Sequence, residues 1–329
     1  MKFAFAGSPD FAAWTLEHLV ALGRRPCLVI TQPDRPVGRG RRAAAPAAAA
    51  TAQRLGLALL QPENINTPEA IDQIRVTGAE AIVVAAFGQI LRQNLLDAIL
   101  CLNAHGSLLP AYRGAAPIER AIAAGESCTG VSIMQVELAL DSGPYALQKS
   151  VSISLWDDAG SIARALTFLG AQGVDQVLTG LDDGTVTWTK QEGGTVYAEK
   201  LCAKDCLLDA ARSARGVHDL VRSLSPRVGA RSASGDFEFK IWRTWPYGHA
   251  DLPPVPDEAA AVAGRPGRLA AGKTRFFMGC AEGAVEILSI QPNGKSRMTA
   301  AEFLRGYSGR LGDSMTEPSA GRAPRAATD

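Results

Sequence analysis

Through the first 150 residues, short apolar runs alternate with turns and with segments whose apolar residues recur at helical spacing. Phe3 to Ala6 and Leu28 to Ile30 are the first two runs, followed by Leu57 to Leu60, Ala81 to Ala85, Cys101 to His105 and Val131 to Val136. After Pro9-Asp10, the residues Phe11, Trp14, Leu16, Leu19 and Val20 predict a helix that opens on a proline, whose missing N–H costs nothing there, and closes at Leu22-Gly23. Further helices are predicted near 47–55, 68–76 and 117–124, and one from about Ala159 to Leu178. Strand and helix alternating in this way predict an α/β domain with a doubly wound, mostly parallel sheet over residues 1–184. Residues 185–204, with Gly193 and Gly194, read as a linker.

Beyond the linker the period changes. After a helix near Ala211 to Leu224, short alternating runs at Phe237 to Thr244, Gly267 to Leu269, Arg275 to Met278 and Val285 to Gln291 are separated by Gly and Pro. They predict a small β-barrel domain over 205–311, with a final helix at Met298 to Gly306. Residues 312–329, rich in Ser, Ala and Arg, read as a disordered tail.

No stretch approaches about eighteen consecutive apolar residues, and the N-terminal apolar run is too short for a signal-peptide core, so a soluble cytoplasmic protein is expected. The cysteines at 27, 101, 128, 202, 206 and 280 show no Cys-x-x-Cys spacing and read as reduced and structural, with no metal site. The net charge of +1 conceals an asymmetry: residues 200–329 hold 19 Lys and Arg against 14 Asp and Glu, so the remainder is net negative. A second basic segment is the loop Asp34 to Arg42, where Arg35, Arg39, Arg41 and Arg42 face one acid. Both features suit an anionic partner.

In an open parallel sheet, ligands bind beyond the carboxyl ends of the strands. The run from Cys101 ends Asn103-Ala104-His105 and enters Gly106-Ser107-Leu108-Leu109-Pro110. Strand alternation puts Asn103 and His105 on one face, roughly 6 to 7 Å apart. Downstream, Leu140-Asp141-Ser142-Gly143 presents a carboxylate in a turn, and Asp141 beside His105 would orient the imidazole for proton transfer. On residue types alone, a hydrogen-bonded strand end and a turn-capping aspartate are equally open readings. There is no Gly-x-Ser-x-Gly elbow, no dinucleotide fingerprint and no Walker lysine, which disfavours a serine hydrolase, a nicotinamide dehydrogenase and a P-loop NTPase.

The segment Asn103-Ala-His-Gly-Ser-Leu-Leu-Pro110, followed by Arg113-Gly-Ala-Ala-Pro-Ile118, resembles the signature of the folate-dependent methionyl-tRNA formyltransferase family. The resemblance extends through Phe5-Ala-Gly-Ser-Pro-Asp-Phe-Ala12, Thr31 to Gly40, Gly130 to Gln135, Leu140 to Gly143 and Tyr197 to Leu201. It continues in Lys240-Ile-Trp-Arg243, Gln291 to Lys295 and Ala301 to Leu304, so it covers the chain to about residue 310. It implies a Rossmann-like catalytic domain and an OB-like barrel, with transfer of a formyl group from 10-formyltetrahydrofolate to the amino group of methionyl initiator tRNA.

By the same resemblance, Asn103, His105 and Asp141 are the catalytic residues, and Ser107, Leu108, Leu109 and Pro110 line the folate site. Phe87, Gly88, Gln89 and Ile90 offer backbone groups to the pterin, and Arg35, Arg39, Arg41 and Arg42 touch the tRNA. A monomer without tightly bound metal is expected. Two rivals keep the fold: a formyltransferase for another amine, such as a nucleotide-linked amino sugar or a carrier-bound amino acid, and an inactive tRNA-binding homologue.

Overall fold

The computed structural model describes residues 1–37, 42–235, 237–248 and 251–318. In chain order the first half comprises β1 (Phe3–Ala6), α1 (Asp10–Ala21), β2 (Leu28–Ile30), β3 (Arg35–Val37), β4 (Arg42–Ala44), α2 (Ala47–Arg54), β5 (Leu59–Leu60), α3 (Pro68–Val76), β6 (Ala81–Val84), α4 (Gln93–Leu96), β7 (Leu100–His105), β8 (Arg113–Gly114), α5 (Pro117–Ala123), β9 (Cys128–Gln135), β10 (Tyr145–Ser152) and α6 (Ala159–Asp182). The second half adds β11 (Tyr197–Ala198), α7 (Ala214–Ser223), β12 (Ala230–Ser234), β13 (Phe237–Tyr247), β14 (Leu269–Ala271), β15 (Phe276–Gly279), β16 (Ala284–Pro292), β17 (Met298–Thr299) and α8 (Ala300–Tyr307).

Seven strands form one sheet in the order β10-β9-β7-β6-β1-β2-β5. The pairs from β7 to β5 are parallel, whereas β9 runs antiparallel to both β7 and β10. Side-chain alternation assigns each strand to two cores at once. Phe3, Phe5, Val83, Leu102 and Val131 join α1 and α6 in one core. Ala4, Ala6, Ile82, Val84 and Cys101 join Ile71, Ile74 and Leu95 of α3 and α4 in the other. Burial on both faces explains why these strands read as unbroken apolar runs. The half-buried edge strand β10 escaped prediction because Gln148, Lys149 and Ser150 interrupt its apolar pattern.

The second sheet is antiparallel, in the order β12-β13-β16-β15-β14 with β17 on β16. Register shifts around Arg243 let the long strand β13 bend, curling the sheet into a half-barrel around Phe239, Ile241, Phe276 and Phe303. The predicted helix at 298–306 divides: Met298–Thr299 pairs as a strand, and Thr299 then caps α8 in a box with Glu302. Residues 312–318, expected in a disordered tail, lie on this sheet, where Met315 N donates to Gly267 O and Thr316 N to Ala233 O, each at 2.7 Å. Their backbone groups find partners that composition does not reveal; residues 319–329 lie outside the described residues. The expected linker is strapped across the first sheet's domain, since β11 pairs with β8 and Thr189 with Tyr145.

The two halves meet where α7 packs against α5 and the 154–160 segment. His218 Nε2 donates to Leu155 O at 2.9 Å while its Nδ1 accepts from Thr244 Oγ1 at 3.0 Å, a pattern that the neutral ring satisfies. Arg222 Nη1 donates to Ser154 O and Asp157 O. Across α5, Arg120 forks onto both oxygens of Asp205, at 3.2 and 2.9 Å. Burial of Asp205 works against its charge, but the Arg120 fork and the Cys202 amide outweigh it and hold the carboxyl at about 2. Among the described residues no helix is long and apolar enough to cross a membrane.

Burial lowers the His218 pKa from 6.5 to about 4. The unfolded chain therefore binds the proton more readily, and stability declines as pH falls from about 6.5 towards 4, by about 3 kcal/mol in all. Urea unfolding of wild type and His218→Asn at pH 7.5 and 4.5 measures it. The variant should be less stable at pH 7.5 and lose less on acidification; equal losses would refute the assignment.

Candidate active site

The carboxyl ends of β1, β6 and β7 open into a cleft of about 520 Å³, within the range of small-molecule sites. β1 is the point where the strand order reverses, with β2 on one side and β6 on the other, so the cleft lies at the topological switch point. The far wall comes from the other half of the chain, at Ser223 to Val228.

Asn103, His105 and Asp141 all line this cleft. The pairing of Asn103 with Met134 and of His105 with Ser132 places the Asn and His two residues apart on one strand. The Asn103 side chain is half-buried and makes no hydrogen bond to another described residue. His105 is buried, with Nε2 donating to Tyr112 O at 3.0 Å and Nδ1 lying 3.7 Å from Asp141 Oδ2. At that separation His105 Nδ1 and Asp141 Oδ2 face each other beyond hydrogen-bond distance.

The position of Asp141 is heavily determined. Its backbone is in the left-handed region at φ 45°, and its Oδ2 accepts the Gly114 amide at 2.9 Å. Gln191 donates to Asp141 O at 2.9 Å and to Gly143 O at 2.7 Å, and its own oxygen accepts from Arg113 Nε and Nη2. A Cβ at Gly143 would stand 2.0 Å from Gln135 O, so only glycine lets the loop approach β9 so closely. Two more residues around the cleft, Ala86 at φ 49° and Tyr112 at φ 59°, share the left-handed conformation. Strained non-glycine backbone gathered at a cleft marks a site held in shape for a ligand. The Tyr112 phenol is pushed up to about 12 by burial and by its bond to Glu126, so it stays protonated.

The remaining expected residues divide. Phe87, Gly88 and Gln89 line the cleft; the Phe87 carbonyl already accepts from Ser8 Oγ and Gln32 Nε2, both at 3.2 Å. Ile90 is exposed and outside its lining. Ser107 to Pro110 are also outside it. Ser107 Oγ donates to Ala111 O, Ser132 Oγ accepts from Leu109 N, and Leu108 packs over Gly130, so this segment anchors the turn to β9. Arg35 is exposed, 3.9 Å from Glu63 in the β3–β4 hairpin. Arg39 and Arg41 lie outside the described residues, as does the Arg42 side chain.

Sequence reasoning missed Gln191, the Tyr112 carbonyl, and Trp14 with Arg164, whose guanidinium sits 4.3 Å above the indole at the cleft wall. Gln191 carries no signal in its neighbourhood, because its role depends on the linker folding back. All six cysteines are free, and burial holds the Cys101 thiol at about 12, away from thiolate chemistry. Among the described residues no group of three His, Cys, Asp or Glu is placed to hold a metal ion.

A parallel switch-point sheet with an Asn–His–Asp cleft, joined to a half-barrel, is an arrangement that family comparison identifies. Residues 1–178 match the model for formyl transferase and residues 200–308 that for the formyl transferase C-terminal domain. The chain belongs to the formyl transferase family. It is 46% identical over 314 residues to the methionyl-tRNA formyltransferase of Rubrobacter xylanophilus, covering 94% of this chain and 98% of that protein. It is 37% identical over 310 residues to that of Geobacter metallireducens, covering 93% and 96%. In fold it is similar to HypX from Aquifex aeolicus in complex with tetrahydrofolic acid, with a TM-score of 0.64 at 16% identity, over 93% of this chain and 47% of that one. The chain thus spans about half of that structure.

Gly143→Ala should lower the unfolding free energy by about 1 to 3 kcal/mol, since the new methyl has no room against Gln135 O. Urea denaturation checks this, and unchanged stability would mean that the loop is less tightly held than described.

Proposed function

We propose that the chain transfers the formyl group of 10-formyltetrahydrofolate to the α-amino group of methionyl initiator tRNA, acting as a cytoplasmic monomer. The observation that carries this reading is the convergence of Asn103, His105 and Asp141 in one cleft of a chain 46% identical to a methionyl-tRNA formyltransferase over nearly its full length. Relatives that act on this charged tRNA favour it as acceptor over an amino sugar, and an intact trio argues against an inactive homologue.

The amine nitrogen attacks the formyl carbon carried on folate N10, and the carbonyl electron pair moves onto oxygen. Asn103 is the uncommitted amide in the cleft and donates to this oxyanion. Both nitrogens of His105 already face acceptors, so the ring reaches the reacting groups by exchanging the Tyr112 carbonyl for them. Asp141 balances the imidazolium charge and fixes the ring. Collapse breaks the bond between the formyl carbon and N10; the attacking amine gives up a proton and N10 gains one, leaving tetrahydrofolate and the formylated amine. Phe87, Gly88 and Gln89 are assigned to the pterin. Ser107, Leu108, Leu109 and Pro110 act on the folate site by fixing the turn beneath it. Arg35, Arg39, Arg41 and Arg42 meet tRNA phosphates, for which the guanidinium fork is suited.

Removing one oxyanion donor typically costs about 3 to 4 kcal/mol, so Asn103→Ala should slow single-turnover formyl transfer roughly a hundredfold or more while folate binding survives. Unchanged turnover would sink the role. Replacing Arg39, Arg41 and Arg42 with Gln should weaken tRNA binding and flatten its salt dependence without altering folate affinity; equal slopes of log K against log salt would contradict the assignment.

A further inference from the structure

A second cavity, of about 440 Å³, opens at the seam between the two halves, separated from the active-site cleft by Ser225, which lines both. Its residues come from the 155–158 segment, α7, β13, β16 and Arg297. Three guanidinium groups line it, at Arg222, Arg243 and Arg297, against a single carboxylate, Asp158, which is engaged in capping α6 through the Ser161 amide.

Arg222 is the unusual member. It is 4% exposed, and three of its donor bonds are accounted for: Nε donates to Asp219 Oδ1 at 2.7 Å, and Nη1 to Ser154 O at 2.9 Å and Asp157 O at 3.1 Å. Its Nη2 is the one buried side-chain polar atom among the described residues without a hydrogen-bond partner. A buried cationic donor left in this state loses hydration without compensation, unless something in the cavity accepts from it. Asp219 also accepts from Arg215, so its charge is shared, and the Asp157 carboxylate is the second negative group near Arg222. At the rim, the exposed Arg243 stands 5.2 Å above Trp156, and Arg297 stands 3.8 Å above Trp242 with Nη2 donating to Pro226 O. Neither rim arginine forms a salt bridge within 4.0 Å of a carboxylate among the described residues, although the Asp158 charge acts on Arg297 across the cavity.

We propose that this seam cavity is an oxyanion site that takes a phosphate group, bound by Arg222 from the floor and by Arg243 and Arg297 from the rim. The arginine fork matches the spacing of phosphate oxygens, and three such forks with net positive charge favour an anion over water. The phosphate is either free in solution or part of a nucleic-acid backbone, and both sources present the same oxygens.

The test uses the full chain with inorganic phosphate as probe, exchanged for chloride at constant ionic strength, and reads the unfolding temperature. Wild type should rise saturably with phosphate. The variant R243Q/R297Q, altered only at exposed rim positions, should lose that rise when each protein is read against its own unfolding temperature in chloride. Arg222→Lys, which keeps a charge opposite Asp219 but gives up Nη2 together with the Nη1 bonds to Ser154 O and Asp157 O, should weaken the response as well, read against its own chloride baseline. A parallel arm measures uncharged tRNA binding against salt concentration. A phosphate response with an unchanged tRNA salt slope in R243Q/R297Q assigns free phosphate. A slope reduced by roughly 1 to 2 assigns a nucleic-acid backbone. If neither arm separates wild type from R243Q/R297Q, the cavity holds only water and the proposal is overturned. No arm depends on formyl transfer, so this result is independent of the reading of the active site.

Discussion

The geometry of the cleft depends above all on where Asp141 is held. A non-glycine residue in the left-handed region costs about 1 to 2 kcal/mol, so the loop persists because its surroundings fix it. The Gly114 amide binds the carboxylate, Gln191 binds the carbonyls on either side of Ser142, and the absent side chain of Gly143 lets the loop lie against Gln135. Each restraint comes from a different part of the chain. Gly114 is itself held by pairing with Ala198, and Gln191 by Arg113, so the linker between the halves is part of the site. The 3.7 Å separation between Asp141 and His105 is the outcome of all of these.

The half-barrel completes the cleft rather than merely accompanying it. Ser223 to Val228 wall the side opposite the strand ends, and Arg227 reaches Glu119 on α5 at 3.0 Å. The neutral His218 and the Arg222–Asp219 pair are buried in the same seam, with Trp156 stacked on Trp245 at 4.1 Å between ring centres. Buried polar groups of this kind contribute modestly to net stability but define one docking geometry, because any other leaves them unpaired. Here that seam lies directly behind the Ser223 to Val228 wall of the cleft.

Much of the first domain was legible in the sequence. Strands buried on both faces announce themselves as apolar runs, as Ala81–Val84 does, and the rule that ligands sit beyond strand carboxyl ends leads to Asn103 and His105. Asp141 was legible as a turn carboxylate that could meet His105, while the 3.7 Å separation and the restraints that set it needed the fold. What resisted reading depended on contacts distant in sequence. The strand Tyr145–Ser152 has a polar pattern, Gln191 acts 50 residues from Asp141, and residues 312–318 lie on the second sheet through hydrogen bonds to residues far away in sequence, such as Gly267, Ala233 and Ser234. Ser107 to Pro110 show the converse: a motif points to the right neighbourhood, while packing decides which side chains face the cleft.

The most direct test of the account is formyl transfer from 10-formyltetrahydrofolate, measured with methionyl initiator tRNA beside uncharged tRNA and free methionine, in wild type and in His105→Ala. The account predicts that the charged tRNA is formylated efficiently, that the other two are not, and that His105→Ala abolishes most of the rate. Efficient formylation of free methionine, or a His105→Ala rate equal to wild type, would contradict it.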